Sequence, residues 1–101
     1  MICVIATIKA KTDQRQALLV CIQDNLSNVH AEVGCVEYQP MVDMESSLGA
    51  QELDEDAVVI VEKWKTMSDL NAHSVAPHML DYREKVKDIV ESVSLKVLTT
   101  A

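Results

Sequence analysis

The run from Ala57 to Lys65, AVVIVEKWK, constrains this chain more than any other stretch. Its side chains alternate with the strand period of two: Val58, Ile60, Glu62 and Trp64 share one face, and Val59, Val61 and Lys63 the other. Both faces are largely apolar, so the run predicts a buried strand in a covered sheet. Glu62 is the exception on its face, and it stands two residues before the chain's only tryptophan. Glu62, Trp64, Asn71, His73 and His78 fall within 17 residues, in a chain otherwise made of aliphatic and ordinary charged positions. If the protein performs chemistry, this segment is where it is expected.

The same periodicities organise the rest. Ile2–Ala10 (ICVIATIKA) is a β-branched strand that is apolar on both faces. Thr12 or Asp13 is then the expected helix N-cap. Leu18, Ile22, Leu26 and Val29 make an apolar stripe opposed by polar residues, and Gly34 marks a stop near Glu32. Cys35–Asp43 reads as a second strand, with Pro40 suited to an edge or bulge because it lacks an amide donor. The acidic stretch from Met44 to Asp56 reads as a long solvated connection without EF-hand spacing. After AVVIVEKWK, a short helix is expected to start at Ser68 and Asp69. Pro77 opens another, whose stripe is Met79, Tyr82, Val86, Ile89 and Val93. Val93, Leu95 and Val97 alternate as a fourth strand. The order β-α-β-β-α-β predicts an α+β, ferredoxin-like fold over residues 1–101: a four-stranded antiparallel sheet with its helices on one face. The other face, also apolar, calls for a second copy of the chain, hence a homodimer through the open sheet face.

Composition narrows the function. A formal charge of −7 disfavours nucleic acid and anionic membrane surfaces as partners. Cys3, Cys21 and Cys35 are odd in number, form no CxxC and sit in apolar surroundings, which reads as buried, reduced thiols. The apolar run at the N-terminus is too short for a membrane span and lacks signal-peptide features, so a cytoplasmic chain is expected. Two glycines, Gly34 and Gly49, do not build a phosphate loop, and no nucleophile motif is present, so no nucleotide, flavin or nicotinamide cofactor is expected. His73 and His78 are five residues apart, which on a helix separates them by about 140°. With Pro77 between them and no cysteine beside them, no metal is expected. What remains is general acid–base work, with histidine as proton acceptor and an amide or indole N–H to stabilise an anion.

EKW at the strand end, the AHSVAPHM segment (A-H-x-x-x-P-H) and GCVEY on the second strand (G-C-x-x-Y) together resemble the antibiotic biosynthesis monooxygenase domain family. The resemblance spans nearly the whole chain. It implies a dimeric α/β barrel with a pocket between sheet and helices. It also implies a monooxygenase that needs neither metal nor flavin and oxidises a small phenol or quinol with dioxygen. Carried onto this chain, His78, His73 and Asn71 become the candidate catalytic groups, and Trp64, Tyr82, Thr7 and Glu62 the candidate substrate-binding ones. The haem-degrading branch of the family is disfavoured, because Thr7 replaces its first-strand asparagine and Arg83 stands near where its axial histidine would be expected. A quorum-signal-type isomerase acting on a small carbonyl compound and a non-catalytic ligand-binding dimer are the alternatives.

Overall fold

Alternation becomes four strands and the 3.6-residue stripes become helices. The computed structural model describes residues 1–101. Its elements are β1 (Ile2–Ala10), α1 (Arg15–His30), β2 (Cys35–Met41), β3 (Ala57–Trp64), α2 (Met67–Ser74), α3 (Pro77–Val86) and β4 (Val90–Leu98). All strand pairs are antiparallel, in the order β2-β3-β1-β4. This is the ferredoxin-like α+β arrangement expected from the sequence, with its second helical segment split into α2 and α3.

Register decides which side chains face the helices. Pairing β1 with β3 sets Val4 opposite Glu62, Ala6 opposite Ile60 and Ile8 opposite Val58. These residues form one face and are buried with Leu18, Ile22 and Val29 of α1 and with Met79 and Val86 of α3. Leu18 is fully buried, and withdrawing a side chain of that size from water stabilises the fold by about 1.5–3 kcal/mol. On the opposite face, Cys3, Ile5 and Thr7 of β1 pair with Lys63, Val61 and Val59 of β3, and all six are half-buried. Pro40 lies on β2, an edge strand, where its missing N–H costs least.

Several local expectations are corrected. Helix α1 starts at Arg15 with no side-chain cap; Asp13 instead takes a left-handed φ of 65°. The cap of α2 is Thr66, whose hydroxyl accepts from the Asp69 N–H at 3.1 Å, so the helix opens before Ser68. Strand β2 ends at Met41, short of Asp43, and α3 ends at Val86, which leaves Ile89 outside the helix and Val93 within β4. The three cysteines are half-buried. On β4, Val93, Leu95 and Val97 share the face of Ile8, Ala6 and Val4, yet they are 57%, 62% and 50% exposed. The three helices do not reach far enough to cover the fourth strand.

The turn between α1 and β2 is the tightest joint. Gly34 has φ +80°, and a Cβ there would lie 2.6 Å or less from three side-chain atoms of Asp69 at the start of α2. Its carbonyl accepts from the Lys65 N–H at 2.9 Å, tying this turn to the end of β3. Gly34→Ala is therefore expected to destabilise the protein by about 1–3 kcal/mol, from left-handed strain together with the clash. Urea unfolding measures this, and an unchanged midpoint would show that the turn can move aside.

Candidate active site

The incomplete cover over β4 leaves a cavity of about 410 Å³ between the sheet and helices α2 and α3. That volume suits a small organic molecule. Its sheet wall is Val4, Ala6, Ile8 and Ile60, and Leu70, Met79 and Val86 face them from the helices. Val93 and Leu95 form the side towards β4, while Arg83 of α3 and Lys87, the residue just after it, add two cations. At its polar end are Tyr38, Glu62 and His73.

These polar groups are held by neighbours from four parts of the chain. His73, in the last turn of α2, is 5% exposed. Its Nδ1 lies 2.6 Å from Oε2 of Glu32, in the turn after α1. An ionised carboxylate only accepts, so this partner fixes the Nδ1–H tautomer and leaves the Nε2 lone pair free. Nε2 is 4.0 Å from Glu62 Oε1, beyond hydrogen-bond reach. The same Glu62 oxygen accepts from the Trp64 indole N–H at 3.0 Å. Trp64 packs against the imidazole at a tilt of 33°, with ring centroids 4.6 Å apart, and the Tyr38 ring meets it edge-on at 5.5 Å. The backbone of Glu32 is itself pinned: its N–H donates to the Val29 carbonyl, and its carbonyl accepts from the Cys35 N–H.

Burial sets the protonation states. Desolvation lowers the His73 pKa below its ordinary 6.5; the Glu32 bond and charge oppose this, and the Coulombic influence of His78 and Arg83 adds to it. The imidazole is thus kept neutral and able to accept a proton. Desolvation raises Glu62 above 4.5, with the Trp64 bond opposing and the Glu32 charge adding. Tyr38 is raised by burial and by Glu62, and burial pushes Tyr82 up to about 12, so both phenols stay protonated. Cys35 is raised by burial and two nearby carboxylates, which makes it a poor nucleophile.

Of the residues singled out from the sequence, His73, Glu62 and Tyr82 line the cavity. Trp64 is fully buried one layer behind them, orienting Glu62 and not lining the space. Thr7 is on the opposite sheet face, because register places it beside Val59 and not beside Val58. Asn71 is exposed on α2 and does not line the cavity. His78 lines a separate polar hollow of about 120 Å³ with Asp24, Asn25, Asn28, Asp81 and Lys85. Its Nε2 lies 3.6 Å from Glu32 Oε2, and neither ring nitrogen has a hydrogen-bond partner within the protein. Glu32 and Tyr38 escaped the sequence reading. The available signal for Glu32 was a carboxylate just past a helix C-terminus, where the helix dipole favours a cation.

The domain is ferredoxin-like, and a carboxylate-oriented histidine stands at one end of a largely apolar cavity. Comparison with known proteins gives the family. Residues 1–85 match the sequence model described as Antibiotic biosynthesis monooxygenase, and the chain belongs to that family. It is 36% identical over 100 residues to the protein named "Probable quinol monooxygenase YgiN" of Escherichia coli K12, covering 97% of this chain and 96% of that one. Among solved structures, Rv0793 of Mycobacterium tuberculosis superposes with a TM-score of 0.81 at 26% identity, covering 99% of this chain and 94% of that one. PA3566 of Pseudomonas aeruginosa shares the fold, with a TM-score of 0.83 at 22% identity over 99% of this chain and 93% of that one. No helix is long and apolar enough to cross a membrane.

The two buried titrations run in opposite directions. Glu62 is raised on folding, so its contribution to stability is present below about pH 4.5 and lost as pH rises through its folded value. His73 is lowered, so its contribution is present above about pH 6.5 and lost as pH falls through its folded value. Glu62→Gln retains an acceptor for the Trp64 N–H and carries no charge. It is expected to be more stable than wild type at pH 7, by on the order of 1 kcal/mol. That gain should vanish below about pH 4, where the carboxyl is neutral in both states. Denaturant melts at both pH values check this, and equal stability at pH 7 would contradict the burial argument.

Proposed function

We propose that the chain is a cofactor-independent monooxygenase that oxidises a small phenol or quinol with dioxygen, and that its base is His73. The observation carrying this reading is a free His73 Nε2, 4.0 Å from Glu62 Oε1, at one end of a largely apolar cavity. An oxygen atom at about 2.8 Å from each fits between them, the spacing of two hydrogen bonds to one hydroxyl. His73 then takes the hydroxyl proton, and the minor protonated form of Glu62, which burial makes more populated, donates to the oxygen that becomes anionic. Of the residues first singled out, His73 is the base and Glu62 and Tyr82 contact the substrate. Trp64 acts through Glu62.

The substrate supplies the electrons. Written as SH₂, it loses a proton to His73, and the anion reduces dioxygen and combines with it to give a carbon-bound peroxide. That peroxide recovers a proton, the O–O bond breaks with loss of the second substrate hydrogen, and the products are S=O and one water. The sum SH₂ + O₂ → SO + H₂O balances without an external reductant. The name borne by the E. coli relative supports a quinol, and the low aromatic content of the walls suits a ring held by aliphatic contacts. His73→Gln is expected to lower oxygen uptake over a quinol panel by about 100-fold or more. Trp64→Phe should give a smaller loss. No uptake by wild type above the spontaneous rate would sink the oxygenase reading, and anaerobic turnover of a carbonyl compound would point to an isomerase.

The working form in this proposal is a cytoplasmic homodimer of one domain spanning residues 1–101. The accessible surface is 6617 Å², whereas a monomer of 11.2 kDa ordinarily exposes about 5,700 Å². The excess fits a slab of 36 × 35 × 19 Å with apolar residues left on both sides of its sheet. Ile5, Val59 and Val61 on the open face are the expected contact, and the three free thiols suit a reducing compartment. A charge at the centre of that face, Val61→Glu, is expected to yield monomers in sedimentation equilibrium. A wild type that sediments as a monomer would remove the dimer from the proposal.

A further inference from the structure

A proton removed from the substrate must stay off the resulting anion until dioxygen has reacted. Held on His73 alone, it remains beside the anion it came from. We infer that Glu32 and His78 continue from His73 as a proton relay, which carries this charge away from the cavity to the polar hollow between α1 and α3 and later returns it. The inference rests on His73 being the base.

One carboxylate oxygen joins the two rings: Glu32 Oε2 is 2.6 Å from His73 Nδ1 and 3.6 Å from His78 Nε2. The first contact is already a hydrogen bond, and the second becomes one on closing by about 0.5 Å or more. His78 makes no other polar contact in the fold. Both of its ring nitrogens are buried and unpartnered, which an apolar side chain of similar size would avoid. The hollow beyond it gives the charge a setting. Asp24 and the Cys21 thiol face it from α1, with Asn25 and Asn28; Asp81, Lys85 and the Tyr82 phenol face it from α3. Glu32 approaches from the α1–β2 turn, and His73, with Arg83 acting on it, from the cavity side. Two carboxylates against one ammonium provide counterions for a cation on His78.

The transfers balance as proton shifts with no change of oxidation state. Protonated at Nε2 by the substrate, His73 passes its Nδ1 proton to Glu32, and Glu32 protonates His78 at Nε2. His73 is left neutral with its hydrogen on Nε2, the form that can donate to the peroxide. Reversing the relay then restores the resting tautomer. His78 is thus a positioning and storage group, and it touches no substrate.

The test needs no substrate. In the full-length protein with ¹⁵N-labelled histidine, exchange of the His73 Nδ1 proton with water is measured by NMR near neutral pH. The relay is the route out, so His78→Gln is expected to slow exchange by about tenfold or more. Glu32→Gln, which keeps an acceptor for Nδ1–H, is expected to slow it as well and serves if the first variant does not fold. A purely structural role for His78 predicts unchanged or faster exchange through a loosened site, and either result overturns the relay. With a turned-over quinol, His78→Gln should lower kcat with KM unchanged. Because the exchange measurement is independent of turnover, a wild type without oxygen uptake would remove the oxygenase reading and leave the relay to be judged by exchange alone.

Discussion

Glu62 stands on the buried face of β3, opposite Val4 and beneath the helices, and the groups around it answer the difficulty that a carboxyl creates there. A carboxyl without partners in such a place costs several kcal/mol when ionised. The Trp64 indole supplies one donor, and Trp64 in turn supports the His73 ring. The imidazole needs its own partner, which Glu32 provides from the far end of α1. Tryptophan, two acids and a histidine therefore form one interlocked unit. Removing any member exposes another to an unsatisfied burial, so the polar end of the cavity is stiff where its aliphatic walls can adapt.

The cavity itself has a geometric origin. Three helices totalling 34 residues, 16 in α1, 8 in α2 and 10 in α3, cannot roof four strands. The strand left out is β4, whose apolar inner residues would ordinarily be core. Their exposure opens one side of a space that is otherwise closed by β1, β3, α2 and α3. Apolar walls stabilise an anion only where donors are supplied, and in the proposed reaction these stand at the Glu62 and His73 end.

Much of this was legible in the residues. Alternation in AVVIVEKWK put Glu62 and Trp64 on one face, the α1 stripe named Leu18, Ile22 and Val29 as core, and Pro77 marked the start of α3. The resemblance in A-H-x-x-x-P-H and G-C-x-x-Y pointed to the family that the comparison shows. The roles within the site were far less legible. Thr7 lies on the same strand as Val4 and Ala6 and looked equally placed, but parity put it on the other face. Asn71 and His73 are two residues apart on one helix, which turns them about 200° from each other, so only His73 faces inward.

The sequence by itself determined the elements, their order, and the faces that bury against each other, because these depend on periodicity over neighbouring residues. Only the tertiary structure decided that Glu32, distant by 41 positions, is the partner of His73, and that His78 opens onto a different hollow from the apolar cavity. The reason is physical. A hydrogen bond between side chains depends on how two helices and a turn are set on the sheet, and no local pattern in the chain records a distance across that gap. Glu32, unremarkable in the sequence, became the centre of the site when folding brought one of its oxygens between two imidazoles.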